Sequence, residues 1–283
     1  MRVLVTGATG FVGSAIVRRL EADGHQVRPF SRATGGDVTD PAALEQAVDG
    51  IDAVVHLVAI LDGSDEEFEQ VVVQGARNVI AAAGAAGVRR YLHMSALGVT
   101  EEHAPLTRYW GAKWRAKAAA MESGLDWTVF EPSFVFAQGG GAFREFERLA
   151  RMPVVPVIGD GQYRHQPVWL GDVAAAYSHA LERPQTVGRV YQLGGPQVFA
   201  FDDLLDEIAR VTGHRPHPKV HAPAGFVRFQ ARLVLRRLPA PLKVTPDQIT
   251  MLLAGTECDL VPMREDLGID PASIGEAYTR PIA

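Results

Sequence analysis

Tyr109 and Lys113 stand four residues apart in the run Tyr109-Trp110-Gly111-Ala112-Lys113. Side chains at that spacing share one helical face. A lysine ammonium beside a phenol favours the phenolate and lowers its pKa. Such a tyrosine can pass a proton to or from a substrate oxygen while a hydride moves. Taken alone, the pair is a common coincidence. It gains weight from three glycines far upstream, Gly7-x-x-Gly10-x-x-Gly13. Gly7 allows a tight turn, Gly10 lets main chain approach a phosphate, and Gly13 lets a helix pack close to a strand. Main-chain amides at the start of that helix attract an anion such as a pyrophosphate. The bland alternative is an ordinary strand-to-helix turn with no ligand.

The surrounding elements suit that chemistry. Val3-Leu4-Val5 is short enough for a buried strand, and Val12, Ile16 and Leu20 recur every four residues up to Gly24. Residues 26–30 read as a second strand ending at Ser31-Arg32, where no acid stands to hold ribose hydroxyls. Ser31 and Arg32 can hold a 2′-phosphate instead, so the sequence favours NADP over NAD, with a solvated loop as the alternative. A third strand has almost no room before Gly36-Asp37-Val38-Thr39-Asp40-Pro41. Asp37 is a candidate acceptor for the adenine amino group, or a turn residue; Asp40-Pro41 starts a helix. Residues 51–59 are the strongest buried-strand signal, and their end, Leu57, Val58 and Ala59, faces the nucleotide if the sheet is parallel. His56 within them reads as an interior histidine. A helix over about 65–86, a strand over 88–95, a helix over about 109–122 and a strand from 125 into Glu131-Pro132-Ser133-Phe134 complete the alternation. It predicts an α/β fold, a Rossmann-type doubly wound parallel sheet over residues 1–136. Residues 137–283 would form a smaller C-terminal α+β substrate lobe, with 167–198 returning to the first unit.

The chain has 283 residues, is 47% hydrophobic and carries a net charge of −5, so it can bury a full core and shows no basic excess for nucleic acid. One cysteine, Cys258, excludes an intrachain disulfide and argues against a zinc cluster; no metal site is expected. The first strand begins at residue 2 or 3, leaving no room for a signal peptide, and no apolar run is long enough to cross a bilayer. These features read as a cytoplasmic protein.

With these residues in view, the sequence resembles the extended and atypical short-chain dehydrogenase/reductases. T-G-A-T-G-F-V-G (6–13), G-D-V-T-D (36–40), Y-x-x-x-K (109–113) and E-P-S-F-V-F (131–136), where many relatives read R-P, carry the resemblance. V-V-H-L-V-A (54–59), R-Y-L-H-M-S-A-L-G (90–98) and S-G-L-D-W-T-V-F (123–130) are similar to the subgroup resembling the reductase-like accessory subunit of respiratory complex I. The resemblance implies catalysis by Tyr109 and Lys113, with Ser95 as a substitute for a missing Ser/Thr. It implies nucleotide contacts from Gly7, Thr9, Gly10, Phe11, Val12, Gly13, Ser31, Arg32, Asp37, Val38, Leu57, Val58, Ala59, Met94, Tyr109, Lys113, Pro132 and Phe134. Two departures stand out. The usual Asn before Gly75 is Val72, and the usual Ser/Thr after Ser95 is Ala96.

In the second half, Gly139-Gly140-Gly141 suggests a loop over the substrate cleft, and Asp160-Gly161 a hairpin tip. Arg164 and Gln166 are candidates for substrate contact. Asp172 is expected to begin a helix and Asp202 to cap another. Residues 224–238 form a basic amphipathic pattern, with Arg228, Arg232 and Arg236 four apart. It can lie on an anionic membrane, meet an acidic partner, or be a lobe helix with a solvated face. Two functions follow. One is an NAD(P)-dependent oxidoreductase or epimerase acting on a small molecule. The other is a non-catalytic nucleotide-binding accessory, assembly or redox-sensing factor for a respiratory or quinone-related complex, peripheral to the inner face of the membrane.

Overall fold

The computed structural model describes residues 1–138, 140–141, 143–233 and 244–280. In chain order the first half runs β1 (Arg2–Thr6), α1 (Phe11–Ala22), β2 (Gln26–Phe30), α2 (Pro41–Ala47), β3 (Ala53–His56), α3 (Asp65–Glu67), a π-helical segment Phe68–Gln74, α4 (Gly75–Ala85), β4 (Arg90–Met94), α5 (Arg108–Met121) and β5 (Asp126–Pro132). The second half runs β6 (Val135–Phe136), α6 (Phe143–Ala150), β7 (Val155–Ile158), β8 (Arg164–His165), β9 (Val168–Trp169), α7 (Leu170–Glu182), β10 (Arg189–Leu193), β11 (Phe199–Ala200), α8 (Phe201–Val211), β12 (Lys219–Ala222), α9 (Ala224–Leu233), α10 (Pro246–Leu253), α11 (Val261–Glu265) and α12 (Ile274–Ala277).

Six strands form a parallel sheet in the order β10-β5-β4-β3-β1-β2. Alternation along β1 shows why both faces are covered. Val3 and Val5 pack with Ile16 and Leu20 of α1 and Val173 of α7. Leu4 points the other way, to Leu44 of α2, Val79 of α4 and Ala120 of α5. Apolar side chains on both faces need helices on both faces, which is the doubly wound arrangement. The interval that left almost no room for a third strand holds none among the described residues: Arg32–Thr34 form one tight turn, and Asp40 then caps α2 by accepting from the amides of Ala42 and Ala43. β2 is therefore an edge of the sheet.

The remaining elements build a second core around Phe136, Phe143, Phe146, Phe201 and Tyr278. Two expectations need correction here. Asp160-Gly161 is a turn but not a hairpin tip, because β7 pairs in parallel with β12 while β8 pairs with β11. Asp202 does not cap α8; the cap is Ala200 without a side-chain bond, and Asp202 accepts from His221 at 2.9 Å. The expected helix over 65–86 is continuous from Asp65 to Ala85, with a π-helical stretch at Phe68–Gln74, a feature frequent at functional sites. The basic pattern at 224–238 is helical as far as Leu233; Val234 to Leu238 lie outside the described residues. Among the described residues no helix is long and apolar enough to cross a membrane, and no three His, Cys, Asp or Glu side chains gather as a metal site.

Candidate functional site

Gly7 turns the chain with φ +75°, and its N–H donates to Phe30 O at 2.9 Å, tying the loop to β2. Gly10 precedes α1 in extended conformation, no side chain caps the helix, and its first turn holds no acid. The first helical bond is from Ser14 N–H to Gly10 O at 2.9 Å. The amides of Phe11, Val12 and Gly13 therefore have no helical partner and face an anion unopposed. A Cβ on Gly13 would lie 2.1 Å from Gly7 O, and one on Gly10 3.3 Å from the same oxygen. Close main chain, unsatisfied donors and a positive helix end are what a pyrophosphate needs, so the residues present fit a dinucleotide. Thr9 beside them is exposed. Gly140 and Gly141 lie over Phe11: a Cβ on either would come within 2.8 Å of its ring. The described part of the glycine-rich loop thus rests on the start of α1; Gly139 lies outside the described residues.

At the end of β2, Ser31 N–H donates to Thr34 Oγ1 at 2.9 Å, and the exposed Arg32 side chain makes no hydrogen bond among the described residues. Asp37 Oδ1 accepts from Thr39 N–H and Thr39 Oγ1, each at 2.9 Å. These bonds and the charge of Arg32 hold its carboxyl below the usual range, against a smaller burial effect. Asp37 is thus a turn residue through one oxygen. Val38 is buried, and its carbonyl accepts from Asn78 at 3.0 Å.

Thr6, His56 and His93 lie in register at the carboxyl ends of β1, β3 and β4. Thr6 Oγ1 and His56 Nδ1 are hydrogen-bonded at 2.7 Å, and the two imidazoles stack with centroids 5.5 Å apart. Burial, then the charge of Lys113, brings His56 down to about 3, and His93 is lowered for the same reasons. Both rings are neutral at physiological pH, as an interior histidine should be. Leu57 and Val58 continue from His56 to face Gly7, whose Cβ would meet each at 3.4 Å; Ala59 is exposed.

α5 starts at Thr107, which caps it by accepting from Trp110 N–H at 3.0 Å. This sets Tyr109 and Lys113 on the helix face toward the strand ends. Lys113 is 2% exposed and its ammonium donates to Met94 O. Burial brings its pKa down to about 8, opposed by Glu131. Tyr109 packs among Phe68, Val72, Val99 and Trp110. Its hydroxyl makes no hydrogen bond, yet it is not among the fully enclosed polar atoms. One expectation is overturned here: the phenol is pushed up to about 12, not down. Burial is the cause, and the Lys113 ammonium is turned onto the Met94 carbonyl.

Ser95 is 1% exposed and its Oγ is enclosed without a partner. Ala96 and Val72 both pack in the apolar cluster around Tyr109. Pro132 is buried and its carbonyl accepts from Leu97 N–H at 3.0 Å. Phe134 stands edge-on to Phe146 and His165 at 5.3 and 4.8 Å. Gln166 is a structural tie: its amide donates to Gly195 O and accepts from Cys258 N–H, both at 2.8 Å. Arg164 is exposed and paired with Glu257 at 2.8 Å. Asp172 lies inside the first turn of α7, which begins at Leu170, and accepts from Ala272 N–H at 2.8 Å. Sequence reasoning missed the Lys117–Glu131 ion pair, 2.7 Å long with both side chains at most 10% exposed. Its signal was available: Lys117 follows Lys113 by one helical turn, on the same face.

A Rossmann-type sheet with an uncapped glycine turn and a Tyr–Lys pair at the strand ends defines a nicotinamide-nucleotide protein of the short-chain dehydrogenase/reductase kind. Residues 3–194 match the NAD dependent epimerase/dehydratase family, and the chain belongs to it. It is 27% identical to the 2-alkyl-3-oxoalkanoate reductase of Stenotrophomonas maltophilia, covering 99% of this chain and 98% of that protein. It is 26% identical to the NADH dehydrogenase [ubiquinone] 1 alpha subcomplex subunit 9 of Dictyostelium discoideum, over 87% of this chain and 73% of that one. The fold matches the structure of MoeE5 in complex with UDP-glucuronic acid and NAD, with a TM-score of 0.77, 21% identity and coverage of 100% and 98%.

Proposed function

We propose that the protein is an NAD(P)-dependent oxidoreductase that reduces a carbonyl group on a largely apolar small molecule. The observation that carries this is the Tyr109 hydroxyl, without a hydrogen-bond partner among the described residues, one helical turn before the buried Lys113 at the strand ends. Gly7 to Gly13 would hold the pyrophosphate, Asp37 and Val38 the adenine, and Lys113 the nicotinamide ribose. Met94, Leu57, Val58, Ala59, Pro132 and Phe134 would line the nicotinamide end. Arg32 and Ser31 would favour the 2′-phosphate of NADP over NAD. When bound, the nicotinamide supplies the hydride. Tyr109 supplies the proton at the substrate oxygen; a phenol held near 12 is a donor at neutral pH, which suits reduction. Val72, Ala96, Trp110, Ile60 and Met251 surround Tyr109, so the substrate flank there meets apolar groups. The name of the alkyl-oxoalkanoate reductase fits such a substrate. The test is turnover of NADPH and NADH with a panel of alkyl ketones, quinones and nucleotide sugars. Tyr109→Phe should bind nucleotide as the parent does and lose turnover at least 100-fold; full activity in that variant refutes the assignment.

A second reading is a nucleotide-binding accessory factor that does no chemistry. The enclosed Ser95 and the apolar Ala96 and Val72 favour it, as does the complex I subunit among the relatives. Nucleotide binding without turnover on any of these substrates would put it ahead. On either reading a membrane or membrane-complex contact through 224–238 has support. From Ile208 to Pro246 the sequence holds eight lysines and arginines and no Asp or Glu. On α9, Phe226 and Phe229 are 57% and 63% exposed beside the exposed Arg228, while Val227 and Ala231 pack inward. Aromatic and basic groups on one outer face suit the inner, anionic surface of a membrane. Co-sedimentation with anionic liposomes tests this, and no binding at low salt refutes it.

A further inference from the structure

The charge on Lys113 has to be maintained in a dry environment. The residue is 2% exposed, and among the described residues the one hydrogen-bond partner of its ammonium is a neutral carbonyl, Met94 O. The groups facing it are His56 on β3, His93 on β4, Lys117 one turn along α5 and Glu131 at the end of β5. The two imidazoles are neutral, and both lose further basicity to the lysine. Lys117 is a like charge. Glu131 is the single acid in the group, 5% exposed, joined to Lys117 at 2.7 Å.

Resting on the reading of Lys113 as the nicotinamide-ribose ligand, we propose that Glu131 is the positioning residue that keeps Lys113 protonated, with Lys117 holding the carboxylate in place. One buried acid, paired with Lys117 one helical turn from Lys113, leaves a net positive charge in the group, delivered to the cofactor side by Lys113. Without the acid, both lysines would repel in a medium that screens poorly. An opposite charge at close range favours a charged group by about 1–3 pH units. The mechanism does not need Glu131 to touch substrate or nucleotide. It acts through the proton on Lys113.

The experiment is nucleotide affinity against pH from 6.5 to 10, read by NADH and NADPH fluorescence, which needs no substrate. The parent should lose affinity through a single limb near pH 8, where burial sets Lys113. Tyr109, raised to about 12, does not titrate in that range. In Glu131→Gln the limb should move about one pH unit or more toward acid. Glu131→Asp should stay within a few tenths of a pH unit of the parent. Lys117→Met/Glu131→Met replaces the pair by apolar groups, which buried ion pairs often tolerate. It removes the like charge of Lys117 together with the acid, so it should fold and move the limb less far toward acid than Glu131→Gln does, separating loss of charge from loss of structure. Lys113→Met should flatten the limb. If it does not, Lys113 is no nucleotide ligand and the reading beneath the proposal fails. If Lys113→Met flattens the limb while Glu131→Gln leaves it in place, the role of Glu131 is refuted alone.

Discussion

Gly10 and Gly13 belong to one motif but should fail in different ways when each is changed to alanine. Gly10 has φ −71° and ψ 171°, which any residue adopts, and its added Cβ would lie 3.3 Å from Gly7 O. The loop can give by a few tenths of an ångström, so Gly10→Ala should lower Tm by no more than about 2 °C, equivalent to under about 1 kcal/mol. The new methyl group, however, occupies the surface from which Phe11, Val12 and Gly13 offer amides. Losing even one charge-assisted bond to a phosphate removes about 1.5–3 kcal/mol. Affinity should fall at least about tenfold for NADH and NADPH alike. Gly13→Ala meets a different obstacle. Its Cβ would lie 2.1 Å from Gly7 O and 2.9 Å from Gly7 C, and neither main-chain atom can rotate away. α1 would have to move by about 1 Å, against Ile16 and Leu20, both fully buried. Overpacking of that kind costs about 3 kcal/mol, or about 6–12 °C in Tm. Differential scanning calorimetry and fluorescence titration separate the two. A Gly10→Ala protein that binds nucleotide as tightly as the parent would refute the phosphate-cradle argument. A Gly13→Ala protein of parental Tm would refute the packing argument.

Other outcomes follow from the same geometry. Arg32→Ala should weaken NADPH about tenfold and leave NADH within twofold, measured by fluorescence titration; equal effects would refute the 2′-phosphate role. Gln166→Ala strands Gly195 O and Cys258 N–H, and should cost about 2–4 kcal/mol in urea unfolding. His56 and His165 stay neutral down to about 3 and 4, and His93 is lowered as well. The unfolded chain binds these protons below about 6.5, so stability should fall as pH drops from 6.5 toward 4, by about 1.4 kcal/mol per pH unit for each histidine. His93→Phe removes one such proton, together with two enclosed nitrogens that have no partner, and should flatten the slope by that amount. An unchanged slope in Tm against pH would refute it.

The sheet was legible in the sequence because its signals are local. Val3 to Val5 and Val54-Val55 are apolar on both faces, which is what a covered parallel strand requires. The glycine turn was legible because steric demand, not packing, selects each glycine. What was not legible depends on contacts distant in sequence. Asp160-Gly161 looks like a hairpin tip, yet the partner of β7 is β12, some sixty residues later. Gln166 looks like a polar cleft residue, yet its partners are Gly195 and Cys258. The environment of Tyr109 escaped for the same reason. Helical spacing puts Lys113 on its face, but the direction of the ammonium is set by the Met94 carbonyl on another element. Glu131 looked like a departure from the R-P pattern until Lys117 came beside it.

The pairing of β10 with β5 has a consequence for how the chain is made. Arg189 follows Pro132 by 57 residues, so β5 emerges from the ribosome well before its outer neighbour exists. At ordinary translation speeds that interval is about 3–11 s. Throughout it, one side of Trp127 to Phe130 offers bare amides and carbonyls to any passing strand. A chaperone bound to the nascent polypeptide during this window would shield that edge. Slowing synthesis between residues 132 and 189, for example with rare codons, should increase aggregation of a protein whose finished fold is unaltered.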